Sequence, residues 1–147
     1  MIRKATAQDT ERCLGLAKRF YGGFLSGIGI EIIDDDLRKT VEYFIATKQN
    51  LIVDYEGLVV GMAAWIITPH PANSKCKIFQ EVLWCCNSPI KTDALLLLRG
   101  LEREAAESGS DLIMLANLSL ENEPAIRRIY GKRGYIYAES HYAKRRF

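Results

Sequence analysis

The chain has 147 residues, of which 48% are hydrophobic and 26% are charged. This balance is typical of a folded globular protein and excludes a disordered chain. The length suits one domain over residues 1–147 that is large enough to be stable without disulfides. The apolar stretch at residues 94–98 is too short to cross a bilayer, and the start shows no signal-peptide pattern. We therefore expect a cytoplasmic protein with no membrane partner.

The four cysteines lie at positions 13, 76, 85 and 86. Their spacing matches no zinc site, so we expect reduced thiols and no metal. Because Cys85 and Cys86 are adjacent, they should face opposite sides of a strand.

The basic residues are concentrated at one end, with seven of them and one acid from residue 127 onward. This end suits a phosphate-rich ligand or an acidic partner, although an ordinary solvated surface has the same composition. Aromatic residues among these charges would suit stacking on nucleic-acid bases. An edge strand protected by charge has the same pattern, so nucleic acid is the weaker interpretation.

The first third of the chain predicts a strand and two helices. Residues 2–5 form a short strand candidate, and Thr6 with Asp9 gives a capping box at the start of the first helix. Four glycines in residues 22–30 predict a loop. Asp34 or Asp35 is expected to cap the second helix.

The remaining chain alternates strands and helices. A hairpin is expected over residues 51–55 and 58–67, with a turn at Glu56-Gly57 and an end at Pro69 and Pro71. The expected elements after it are a strand at 76–86, a long helix from residue 94 that Gly109 ends, a strand at 111–118, a short helix from Pro124 to about Lys132, and closing strands at 135–139 and 141–146. The predicted order is β-α-α-β-β-β-α-β-α-β-β. This order indicates an α/β (α+β three-layer) domain with helices on both faces of the sheet.

Three stretches resemble GNAT N-acetyltransferases, in particular the GNAT-like proteins that bacteriophages often carry. They are Glu81-Val-Leu-Trp-Cys-Cys-Asn-Ser-Pro with the apolar helix after it, Asn122-x-x-Ala-x-x-x-x-Tyr130-x-x-x-Gly-Tyr135, and His141-Tyr-Ala-Lys144. The resemblance implies a GNAT-like mixed central sheet of about 6–7 strands. It also implies acetyl-CoA as the acyl donor and an amine as the acceptor, on a small molecule or at a protein lysine or N-terminus.

The resemblance also implies where coenzyme A would bind. Backbone groups of the strand would contact the pantetheine and the acyl carbonyl, and the loop before the long helix would hold the pyrophosphate at a helix N-terminus. The implied cofactor residues are Trp84, Cys85, Cys86, Asn87, Ser88, Ile90, Lys91, Thr92 and Asn122. Asn122 would otherwise cap its helix. The family's loop reads Arg/Gln-x-x-Gly-x-Gly/Ala, whereas this chain has Asn87, Ile90 and Thr92 at those positions.

Three side chains are candidates for catalysis. A lysine-like amine is mostly protonated at neutral pH, so a carboxylate base is useful. The resemblance implies Glu81 for this role, because family members often carry an acid on this strand facing the acyl site, and His141 on the last strand as the second choice. Tyr130 matches the family tyrosine that would protonate the departing thiolate. Ordinary core packing for Tyr130, and a surface or lysine-paired role for Glu81, remain open.

Two functions follow from this sequence. The first is acetyl-CoA-dependent N-acetylation of an amine. The alternative is a non-catalytic GNAT-fold protein that binds a host or partner protein, because the loop lacks both glycines and Asp93 adds a negative charge. The acceptor, the acyl chain length and the choice between monomer and homodimer stay open.

Overall fold

The computed structural model describes residues 1–116 and 123–146. Its sheet has five strands in the order β1-β2-β3-β4-β5, antiparallel except for the parallel pair β4 and β5. The elements are β1 (Ile2–Arg3), a 3-10 turn (Ala7–Asp9), α1 (Thr10–Gly27), α2 (Asp34–Ala46), β2 (Asn50–Tyr55), β3 (Leu58–His70), β4 (Asn73–Cys86), α3 (Thr92–Glu107), β5 (Leu112–Met114) and α4 (Glu123–Lys132).

The helices cover both faces of the sheet, as expected. On one face, α1 and α2 pack against residues such as Ile52, Met62 and Leu83. On the other, Leu97 and Leu101 of α3 belong to a second cluster, which the sheet completes with Leu51, Val53, Ala63, Trp65 and Phe79. Successive residues of β2 thus enter opposite cores, because strand side chains alternate between faces.

Polar contacts join β1 to the first helices. The capping box is confirmed, and in it Thr6 N–H donates to the Asp9 carboxylate at 2.8 Å. Arg3 donates to Asp9 and to Asp54 at 2.8 Å each. The hydrogen bond from Arg3 holds the pKa of the buried Asp9 carboxyl well below its usual range. Arg3 therefore links the start of the chain to the β2 hairpin.

The expected loop at residues 22–30 is wrong, because α1 continues to Gly27. Glycine in a helix costs about 1 kcal/mol relative to alanine. Phe20 and Tyr21 pack against the sheet face just before this stretch, and their burial offsets that cost. The helix ends at Gly27, and Gly29 after it adopts a φ of 71° and provides the left-handed residue that a helix end uses. The cap of α2 also differs, since Ile33 and neither Asp34 nor Asp35 occupies the N-cap position.

The hairpin is confirmed, with Glu56 and Gly57 in the turn at φ of 50° and 91°. The expected end at Pro69 is wrong, because β3 extends to His70. Pairing with β2 stops at Ala64, so Pro69 lies where β3 pairs only with β4, and the missing N–H is tolerated there.

The two closing strands are wrong: residues 135–146 contain no strand. The side chains that were expected to alternate into the sheet are exposed instead, with Ile136 at 89% and Tyr142 at 96%. Without a buried face, the segment gains nothing from pairing. The sheet therefore has five strands among the described residues and not 6–7. β5 covers only part of the expected 111–118, whose last two residues lie outside the described ranges.

Candidate active site

β4 separates from β5 in the middle of the sheet. The parallel pairing joins Ile78 to Leu112 and ends at Gln80 with Met114. From Glu81 to Cys86, β4 pairs within the described residues only with β3. One main-chain edge of β4 is thus left unpaired beside α3 and α4, where it is available to a ligand.

A β-bulge lies where the separation begins. Trp65 pairs with Glu81 and Ala64 pairs with Leu83, which leaves Val82 without a partner on β3. Val82, Leu83 and Cys85 pack with α1 and α2, whereas Trp84 and Cys86 pack with α3. Two consecutive residues therefore face the same side, which is what an inserted residue produces. The expectation that Cys85 and Cys86 face opposite sides is confirmed.

Glu81 is buried at the start of this opening. The residue is only 5% exposed, and its Oε2 accepts a hydrogen bond of 3.1 Å from Ala116 N–H. Burial raises the pKa of this carboxyl to about 7, against the lowering effect of that hydrogen bond. A carboxyl with a pKa near neutrality can both accept and release a proton under physiological conditions.

Tyr130 of α4 lies close to Glu81. Its ring centroid is 6.2 Å from that of Trp84 and 5.2 Å from that of Tyr135. Its hydroxyl is buried and has no hydrogen-bond partner among residues 1–116 and 123–146. Burial, and next the negative charge of Glu81, raise the pKa of Tyr130, so the hydroxyl stays protonated. The structure thus brings Glu81, Trp84 and Tyr130 to one place.

The loop between β4 and α3 begins where β4 ends. Asn87 N–H donates to Val60 C=O at 2.7 Å and extends the β3 pairing by one residue. The Ser88 hydroxyl accepts from Ile90 N–H at 3.0 Å, and Ile90 is 47% exposed. Lys91 and Thr92 are exposed. The loop therefore presents a hydroxyl, an ammonium group and the first turn of α3 to solvent.

Asp93 is turned away from this surface. It is 1% exposed, and its Oδ1 accepts a hydrogen bond of 2.8 Å from the Tyr55 hydroxyl. Its Oδ2 is buried and has no partner within the described part of the chain. The carboxylate lies below the N-terminus of α3 and does not occupy the exposed loop.

Solved structures with this architecture cover nearly the whole chain. A predicted acetyltransferase with acetyl-CoA from Clostridium acetobutylicum is 21% identical, with a TM-score of 0.70 over 99% of this chain and 95% of the other. AAC(6')-Iy in complex with the bisubstrate analogue CoA-S-monomethyl-acetylneamine is 16% identical, with a TM-score of 0.74 over 100% and 97%. A transcriptional regulator from Bacillus halodurans C-125 is 17% identical, with a TM-score of 0.76 over 99% and 98%.

The chain has the GNAT acetyltransferase fold. No family model matches the sequence, and no curated protein matches it either. The structural similarity therefore establishes the fold, while the activity has to be argued from the residues of the site.

The residues of the opening fit coenzyme A. The edge of β4 at residues 81–86, unpaired within the described residues, offers amide partners for a pantetheine arm, and a thioester sulfur would give the Tyr130 hydroxyl the acceptor that it lacks among residues 1–116 and 123–146. The first N–H groups of α3 have no partner within the helix and form an anion site, beside the Ser88 hydroxyl and Lys91. The exposed side chains of Ile90 and Thr92 replace the family glycines but point to solvent.

His141 is not placed in this opening. The His141 side chain is 84% exposed and its Nε2 lies 3.0 Å from a carboxylate oxygen of Glu139. It was expected on a closing strand near the site, and that strand is absent from residues 135–146. Asn122 lies outside the described residues.

Sequence reasoning missed three contacts of the site. Tyr21 donates to Val82 C=O, Tyr55 donates to Asp93, and Ala116 N–H donates to Glu81. Each joins residues at least 35 positions apart, and no local pattern signals such contacts. Within the described ranges no cluster of metal-ligating side chains is found, and none of the helices there is long and apolar enough to span a membrane.

Proposed function

We propose that this protein is an N-acetyltransferase that transfers an acetyl group from acetyl-CoA to an amine. One observation supports the proposal: where β4 separates from β5, a buried carboxyl with a pKa of about 7 interacts electrostatically with a buried tyrosine hydroxyl that has no partner among the described residues. Burying such groups costs free energy, and groups with perturbed pKa values concentrate at active sites. Bound acetyl-CoA would supply the activated acetyl thioester.

Glu81 acts as the base. Its carboxylate form is available above pH 7, where it accepts a proton from the attacking ammonium group, directly or through water. The hydrogen bond from Ala116 N–H holds Oε2 of the Glu81 carboxylate. Glu81 then holds the proton. Because the pKa of this carboxyl is near the pH of the medium, the proton is afterwards released to solvent.

Tyr130 acts on the leaving group as a hydrogen-bond donor. Its raised pKa exceeds that of a thiol, which is about 8.5, so complete proton transfer to the thiolate would be uphill. A hydrogen bond to the developing negative charge on sulfur remains favourable, since such charge-assisted bonds are worth about 1.5–3 kcal/mol. The main-chain N–H groups of residues 84–86 would polarise the acyl carbonyl.

The acceptor is an amine on a small molecule or at a protein lysine or N-terminus. The connection between α1 and α2 is the proposed acceptor loop. Gly29, Ile30 and the exposed Glu31 line a surface pocket there. Three acids begin α2 directly after this loop and would attract a cationic amine, while Lys18 is already paired with Asp34 at 2.8 Å and Arg145 lies beside Gly29.

The test measures thiol release from acetyl-CoA in the presence of a panel of polyamines, aminoglycosides and lysine-containing peptides. We expect amine-dependent release by the wild type and a fall in kcat of about tenfold to a hundredfold for Tyr130→Phe. Tyr142→Phe is the matched control, because Tyr142 is 96% exposed, and it should retain full activity. A Tyr130→Phe variant that keeps wild-type kcat would contradict the assigned role.

A second candidate is a non-catalytic protein that uses this fold to bind a host or partner protein. The exposed side chain of Ile90 at a family glycine position favours it, because a side chain there limits the approach of phosphates. The two functions separate on calorimetry. Absence of acetyl-CoA binding at millimolar concentration favours the binding protein, and saturable binding favours the enzyme.

A further inference from the structure

Tyr21 of α1 contacts β4 at its bulge. The phenol hydroxyl donates a hydrogen bond of 2.9 Å to the carbonyl of Val82, which is 61 residues away in the sequence. The side chain is partly buried and packs edge-on against Phe20, with 5.0 Å between ring centroids. The hydroxyl is thus fixed on the one residue of this strand region that has no partner on β3.

The bulge decides how the rest of β4 faces the site. Because Val82 and Leu83 both face α1 and α2, the side-chain alternation is reversed from this point onward. Trp84 consequently faces Tyr130, and the main chain after it lines the opening. If Val82 entered the ladder, the strand would shift by one residue and reverse these orientations.

We propose that Tyr21 is a positioning residue, which holds the Val82 bulge and thereby fixes Glu81 and the main chain of residues 83–86 in the arrangement that acetyl transfer requires. This inference rests on the proposed function. A partly buried carbonyl outside a ladder needs a donor, and Tyr21 supplies one without competing for the unpaired edge of β4.

Glu81 interacts electrostatically with both tyrosines. Its charge contributes to raising the pKa of Tyr21 from α1 and of Tyr130 from α4, in both cases after burial. The Ala116 N–H, which follows β5, is its hydrogen-bond donor. A loosened bulge would admit water to this carboxyl, and its pKa would fall toward the ordinary 4.5.

The test compares Tyr21→Phe with Tyr43→Phe, a substitution on α2 at a tyrosine that is 54% exposed. Both keep the ring, and circular dichroism with thermal melting establishes that each is folded at the assay temperature. We expect kcat to fall about tenfold or more in Tyr21→Phe and KM for acetyl-CoA to rise, because both Glu81 and the cofactor-contacting main chain of residues 83–86 are displaced. Tyr43→Phe should match the wild type.

A second readout does not require activity. The carboxyl carbon of Glu81, labelled with ¹³C, is titrated by NMR and assigned with Glu81→Gln. A titration midpoint that moves toward 4.5 in Tyr21→Phe and stays in place in Tyr43→Phe supports the inference. An unchanged midpoint together with unchanged kcat overturns it. If the wild type transfers no acetyl group, the proposed function fails, and the NMR titration alone then decides whether Tyr21 positions Glu81.

Discussion

The Tyr55 hydroxyl donates a 2.8 Å hydrogen bond to the Asp93 carboxylate and connects the end of β2 to the first turn of α3. This contact turns the charge of Asp93 into the interior, where the residue is 1% exposed. The loop of residues 87–92 is therefore free of an acidic side chain at its surface. The charge still lies under the helix N-terminus and offsets part of the positive potential there.

We expect Asp93→Asn to tighten the binding of coenzyme A. Removal of one negative charge near the N-terminus of α3 should favour a pyrophosphate by about 1 kcal/mol, which is roughly a fivefold lower Kd. Calorimetric titration measures this change. Pantetheine, which lacks the pyrophosphate, should bind both proteins equally, and Tyr55→Phe, which keeps the charge, should not tighten binding. A Kd for coenzyme A that is unchanged or higher in Asp93→Asn would refute the electrostatic explanation.

The activity should follow the ionisation of Glu81. Because burial raises its pKa to about 7, kcat/KM should rise with pH through that value. Glu81→Gln should lower kcat/KM by about 10²–10⁴-fold and remove this limb of the pH profile. Steady-state thiol release between pH 5.5 and 9 checks both. A Glu81→Gln variant with the wild-type profile would assign the base to another group.

Glu81 should also make stability fall as pH rises. Its pKa is about 7 in the folded protein and near 4.5 when exposed, so the native state binds the proton more tightly. The free energy of unfolding is therefore highest below about pH 4.5 and falls by up to about 3 kcal/mol as pH rises from about 4.5 to about 7, above which the loss is complete. Glu81→Gln should be more stable than the wild type at pH 8.5 and nearly equal to it at pH 4.5, by urea unfolding.

Glu102→Gln provides the control of opposite sign for this measurement. Arg133 lowers the pKa of Glu102 through a side-chain hydrogen bond, so its ionised form stabilises the fold and the contribution is lost as pH falls. The substitution should therefore destabilise the protein at pH 8.5. Equal effects of Glu81→Gln at both pH values would show that the Glu81 carboxyl is not perturbed by the fold.

Asn50 should be essential for stability and not for chemistry. It is fully buried, its side chain accepts a hydrogen bond of 2.6 Å from Ala5 N–H, and it donates a hydrogen bond of 2.7 Å to Phe44 C=O. Asn50→Ala leaves both backbone groups without a partner and should cost about 2–4 kcal/mol. Urea unfolding measures the loss. Asn73→Ala, at the exposed end of β4, is the control and should cost less than about 1 kcal/mol; equal losses would mean that the buried bonds contribute nothing specific.

Local patterns accounted for much of the fold. The turn at Glu56-Gly57, the capping box of Thr6 and Asp9, and the end of α3 at Gly109, which adopts a φ of 66°, depend on neighbouring residues and were predicted. The end of α1 was not predicted, because the choice between Gly22 and Gly29 depends on packing of Tyr21 against a distant strand.

The site was less accessible to sequence reasoning than the fold. The resemblance indicated Glu81 and Tyr130 as candidates, and both roles stay predictions. Their burial and electrostatic coupling arise because β4 pairs with β5 only as far as Gln80, which is a property of the sheet. The bulge at Val82 depends on register with β3 and has no signal in the strand's own residues. The closing strands were expected from the alternation of their side chains alone, and no strand edge for them to pair with had been identified.

The most direct test is a crystal structure of the protein soaked with coenzyme A. We expect density for the pantetheine along the unpaired edge of β4 at residues 81–86. The sulfur should lie within hydrogen-bond distance of the Tyr130 hydroxyl, and the pyrophosphate should lie at the N-terminus of α3. Re-paired strands that close this edge, or coenzyme A bound elsewhere, would contradict this expectation.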